Sequence, residues 1–83
     1  MTKWQARYKI SDEEWTEKTF NNKLDLYDHL YDWLLEVYEG FTGVKHKITA
    51  SFKTSLQCLQ WEVASLEEKL AILDIAYIEI NQL

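Results

Sequence analysis

From Lys3 to Ile10 the chain alternates: Trp4, Ala6, Tyr8 and Ile10 fall to one side, Lys3, Gln5, Arg7 and Lys9 to the other. A period of two over eight residues predicts a strand with one buried and one wet face. Ser11-Asp12-Glu13-Glu14 reads as a polar turn, and residues 15–20, rich in Thr and aromatics, as the returning strand of an N-terminal β-hairpin. The turn holds no glycine, so neither its type nor the pairing register follows from the residues.

The period then lengthens. Leu24, Tyr27, Tyr31, Leu34, Tyr38 and Phe41 recur at steps of 3 and 4, the apolar stripe of a central amphipathic helix. Asn21 and Asn22 are natural N-caps for it, and Gly40 or Gly43 is the expected stop. Residues 46–63 read two ways. Ile48, Ala50 and Phe52 alternate as in a short third strand at about 47–53, while Phe52, Leu56, Leu59 and Val63 keep helical spacing. Thr54 followed by Gln57 matches a capping box, which places the start of the last helix near Thr54.

From there Leu56, Leu59, Val63, Leu66, Leu70, Leu73, Tyr77 and Ile80 form a regular heptad, and a long C-terminal helix is expected. A second capping box, Ser65 with Glu68, marks a candidate break within it. Its end, residues 71–80, is apolar nearly all round, as in a helix buried centrally or against a second chain. Leu70, Leu73, Tyr77 and Ile80 are therefore the expected oligomer interface, and a homodimer is expected.

These elements predict one small α+β domain over 1–83: a β-hairpin, a helix, a short third strand and a long helix. The expected core is Trp4, Tyr8, Ile10, Tyr27, Leu34, Leu59, Val63, Leu66, Leu70 and Leu73. The composition fits a folded chain, with 47% apolar and 14% aromatic residues, large rings that bury much area in a short sequence. The lone cysteine, Cys58, lies in an apolar pattern that reads as core; it cannot close an internal disulfide, which points to a reducing, cytoplasmic setting. No stretch approaches the roughly 18 apolar residues of a membrane span.

Charge changes the picture more. The chain carries 9 bases and 14 acids, net −5, and residues 24–44 hold five of the acids and no base. Those five, Asp25, Asp28, Asp32, Glu36 and Glu39, fall at helical steps of 3, 4, 4 and 3, one row of roughly 21 Å. Any amphipathic helix needs a solvated face, but a solvated face usually mixes signs. Like charges at these spacings cost about 0.2–0.5 kcal/mol per pair, and Glu36 and Glu39 sit at the unfavourable end of the helix dipole. A row of carboxylates resembles a row of phosphates to a basic partner. His29 and Trp33 flank the row, Trp33 being the residue type that anchors interfaces.

Catalytic chemistry is not visible. Asp25, His29 and Asp32 fall short of a zinc ligand set, His46 is the only other imidazole, and two glycines make no phosphate loop. No metal, no cofactor and no enzymatic activity are expected. The basic strand face, Lys3, Arg7 and Lys9 with Lys18 and Phe20, is too small in an acidic chain to predict direct nucleic-acid binding. The expectation is a non-enzymatic binding protein. Asp25, Asp28, His29, Asp32, Trp33, Glu36 and Glu39 would dock on the basic surface of a nucleic-acid-binding protein. Small acidic inhibitors such as phage anti-defence proteins, anti-CRISPR proteins and other DNA mimics are of this class, an analogy that rests on no motif. The rival expectation is an assembly protein that oligomerises through its last helix.

Overall fold

The computed structural model describes residues 2–45 and 55–83. The third strand expected at 47–53 lies outside the described residues, as does Thr54. Strand β1 (Trp4–Ile10) and strand β2 (Thr16–Phe20) form the hairpin, helix α1 (Lys23–Thr42) follows, then helix α2 (Leu56–Ile72) and strand β3 (Ala76–Gln82). The protein is α+β. Its antiparallel sheet has the order β2-β1-β3, and both helices pack on one face of it, α1 over β1 and β2 and α2 over β3.

The hairpin turns without glycine because Ser11 takes a left-handed backbone, φ 39, while the Glu13 amide donates to the Ile10 carbonyl at 2.8 Å. This sets Tyr8 opposite Thr16 and Trp4 opposite Phe20. Helix α1 begins at Asn22, whose side-chain oxygen accepts from the Asp25 amide at 2.8 Å, while its amide group donates to the Asp25 carboxylate. It runs through Gly40 and ends at Gly43, φ 72, whose amide bonds to the Glu39 carbonyl. Its buried stripe is Leu26, Leu30, Tyr31, Leu34 and Val37. The stripe predicted through Leu24 and Phe41 is turned away from the true one: Phe41 is 60% exposed and Leu24 lies at the surface. The helix meets the sheet on one flank and α2 on the other, so its packed positions spread over a wider arc than one stripe.

Helix α2 starts one residue later than the capping box implied. Ser55 is its N-cap, the Cys58 amide donating to the Ser55 hydroxyl, and the helix is unbroken at Ser65. Cys58 is exposed, not core, because the buried face runs through Leu59, Val63, Leu66 and Leu70.

The long C-terminal helix is the main correction. The Ile75 amide bonds to the Leu70 carbonyl and the Asp74 amide to the Ala71 carbonyl, while Asp74 takes φ 56. This double closure ends a helix as a glycine does, with aspartate in the left-handed position. Residues 76–82 then pair along the whole of β1, from Ile10 opposite Ala76 to Trp4 opposite Gln82. The heptad positions Leu73, Tyr77 and Ile80 also fit an alternating strand, and the β-branched Ile75, Ile78 and Ile80 favour it.

The core joins both layers: Ala6, Tyr8 and Ala76 from the sheet close on Leu26, Leu30, Tyr31, Leu34 and Val37 of α1 and on Leu59, Val63, Leu66 and Leu70 of α2. Each fully buried leucine is worth about 1.5–3 kcal/mol. Of the expected core, Trp4, Ile10 and Tyr27 are partly buried against this cluster and Leu73 is 58% exposed in the turn before β3.

Candidate functional site

The buried stripe of α1 fixes where its acids go. With Leu26, Leu30 and Leu34 turned inward, the row from Asp25 to Glu39 lies on the opposite side of the helix, away from the sheet. Asp25, Asp32 and Glu36 are exposed, and Asp28 and Glu39 are half-buried. The structure therefore holds all five on one outward edge.

Helix α2 adds to that layer. The two helices carry eight acids and two bases, a net −6 against −5 for the chain, so the rest of the sequence is net +1. The charge is felt at Tyr31, the buried ring between the helices. Burial first, and then Glu62 of α2 with Asp32 and Glu39 of α1, push its hydroxyl up to about 12. Glu62, Glu67 and Glu68 were missed in the sequence because they share no single row with the acids of α1. Burial also raises the Glu67 carboxyl above its ordinary range.

His29 and Trp33 do not lie on this edge. The Tyr8 hydroxyl and His29 Nε2 share a hydrogen bond at 3.0 Å, His29 stacks obliquely on Phe20, and the Trp33 ring lies 4.7 Å from that of Tyr8. Both side chains join α1 to the hairpin. Desolvation, with Lys18 nearby, lowers the His29 pKa against the opposing pull of Asp32 and Asp28. The helical layer does present two aromatic rings, Phe41 in the last turn of α1 and Trp61 of α2, the latter 77% exposed above a hollow of about 240 Å³ shared with Ala64, Ser65 and Glu68. The signal of Trp61 was legible: it stands opposite Leu59, Val63 and Leu66 on the helix.

The four residues expected at an oligomer interface do not share a face. Leu70 is fully buried in the chain's own core, Leu73 lies in a turn, Tyr77 is on the outer face of β3 with its hydroxyl on the Asp74 carboxylate, and Ile80 faces the helices, half-buried.

On the outer face of the sheet, charges alternate. Arg7 donates to Glu79 Oε2 through Nη1 at 2.9 Å and forms an ion pair with Glu17, Nε to Oε1 3.0 Å, a row of charges across all three strands. Trp15 folds back over it, 4.9 Å from the Arg7 guanidinium and 5.1 Å from Lys9 Nζ, and Lys9 also lies over the Tyr77 ring. Lys18 and Phe20 are not part of this face: they pair with Ala6 and Trp4 on the side of the helices. Among the described residues no group of three potential ligands could hold a metal ion, and no helix is long and apolar enough to cross a membrane. No family model matches the chain, and no curated protein or solved structure matches it.

Proposed function

We propose that the protein is a non-enzymatic binding protein that docks its helical layer on a positively charged surface of a partner protein. The observation that carries this reading is the segregation of charge. The helices hold a net −6 while the sheet balances its own charges in an ion-pair ladder. Carboxylates at helical spacing along an exposed edge offer a basic groove what a phosphate backbone offers it. Such a partner is one that otherwise holds DNA or RNA, and the protein would act as its inhibitor.

Trp61 takes the anchoring role in this reading. It is an exposed ring of the kind that fills pockets at interfaces, whereas Trp33 is engaged with Tyr8. His29 would act beneath the acidic edge as a support rather than as a contact.

The test is capture of partners from a cell lysate on immobilised protein, followed by competition with duplex DNA on the purified partner. The wild-type protein should retain a basic protein that is released by DNA and by about 0.5 M salt, because screened charge pairs weaken steeply. Asp32→Lys/Glu36→Lys should lose it, and Trp61→Ala should retain it with faster dissociation. Equal capture by the charge-reversed variant, or a partner indifferent to DNA, would overturn the reading.

A further inference from the structure

We propose that the outer edge of β3, beyond which no strand lies among the described residues, pairs with the β3 of a second copy, joining two sheets into one antiparallel sheet with all four helices on the same side. The two edges of the sheet are built differently. Strand β2 has five residues, four of them exposed, with Glu17 and Lys18 at its centre. Charged side chains on a short edge are how sheets discourage pairing. Strand β3 is longer, seven residues, with no proline, no lysine and no glycine. Its one charge, Glu79, is already bound by Arg7. Among the described residues no strand lies beyond it.

The ladder fixes which groups face outward. The Leu83 amide bonds the Lys3 carbonyl and the Ser11 amide bonds the Ile75 carbonyl, so the odd-numbered residues of β3 turn their backbone groups toward β1. The N–H and C=O of Ala76, Ile78, Ile80 and Gln82 consequently point away from the sheet. A two-fold axis through Ile78 would pair Ile78 with its own copy and Ala76 with Ile80, forming about six backbone hydrogen bonds. It would also keep Ile78 and Ile80 on the helix side in both copies.

The outer face selects a second copy over an unrelated strand. In that register Glu79 stands opposite Tyr77 of the second copy, whose ring already carries Lys9 at 5.8 Å. The row Glu17, Arg7, Glu79 thus continues into Tyr77 and Lys9 of the other chain, alternating in sign across the axis. The same register repeats on the other side of the axis. This pairing is independent of what the acidic edge binds.

Sedimentation and amide hydrogen exchange on the intact protein test it. At about 100 µM the mass should be that of two chains, and the Ile78 and Ile80 amides should exchange at least about tenfold slower than at about 1 µM. Ile80→Pro removes an outward N–H without breaking a bond to β1, and should give one-chain mass with an unchanged far-ultraviolet spectrum. The wild-type exchange data decide the matter should that variant unfold. One-chain mass with fast edge amides would overturn the proposal. So would protection unaffected by dilution in a one-chain species, which means the edge is covered within the chain. A dimer whose Ile78 and Ile80 amides exchange fast, or protection acquired only on adding another protein, would overturn it as well.

Discussion

The two layers of this molecule treat charge in opposite ways. On the outer face of the sheet, Arg7 lies between Glu17 and Glu79, and Lys9 lies between the rings of Trp15 and Tyr77. On the helices the acids stand in a row, and the two lysines sit over aromatic rings, Lys23 over Trp4 and Lys69 over Tyr38. The sheet spends its charged residues on holding strands together. The row on α1 opposes the helix that carries it, through like-charge neighbours and through the dipole at its C-terminal end. The proposed docking on a basic surface is the reading that gives such a charge pattern a use.

If the contrast holds, the largest effect belongs to the sheet. Arg7→Ala removes two ion pairs and the contact with Trp15, and should lower stability by about 1–2 kcal/mol in denaturant unfolding. A loss within about 0.3 kcal/mol would mean that the ladder merely decorates the surface. The alternation of residues 3–10 and the helical period of 24–41 are strong signals, and both elements form where those periods lie. The exact buried stripe of α1 was not legible, because two neighbours rather than one decide it and Leu26, Leu30 and Val37 compete with Leu24 and Phe41. The end of α2 was hidden for a different reason. Asp74 does the work of a glycine, and Leu73, Tyr77 and Ile80 satisfy both periods until β1 is there to pair with them. The acidic row itself was legible residue by residue, since only the direction of the core had to be known. Trp61 stands out from the period of α2 alone, opposite Leu59, Val63 and Leu66, whereas Glu62 joined the picture only when α2 was packed beside α1.

His29 lies at the junction of the two layers and reports on both. Its pKa is lowered in the fold by desolvation and by Lys18, so the unfolded chain binds a proton more readily. The stability it supports is complete above the ordinary histidine range, near pH 6.5, and is lost as pH falls through the lowered value. Between about pH 7.5 and pH 5 the wild-type melting temperature should fall more than that of His29→Gln, which keeps a partner for the Tyr8 hydroxyl but does not titrate. Parallel curves for the two proteins would place the acid sensitivity elsewhere.

The smallest effect is the most telling for the contrast. Asp32 and Glu36 are exposed neighbours one turn apart in the middle of the row. Reversing both to lysine replaces their contacts with Asp28 and Glu39 by attractive ones, and sets a positive charge nearer the C-terminal end of α1, where the dipole favours it. The lysine at 32 faces the lysine at 36, which costs what the original pair did, so that term cancels. Both substitutions also keep good helix formers, and lysine exceeds aspartate in propensity at position 32. The isolated protein should therefore be more stable by a few tenths to about 1 kcal/mol, while the Arg7→Ala variant is less stable. Part of the gain is offset where Asp32 favours the protonated form of His29, and the offset is small because burial is the larger influence on that ring. Denaturant unfolding at low salt checks the sign, and about 0.5 M salt should shrink the difference as the charges are screened. A clear destabilisation by the double reversal would show that the acids serve the fold after all, and the two layers would then differ only in how they are stabilised.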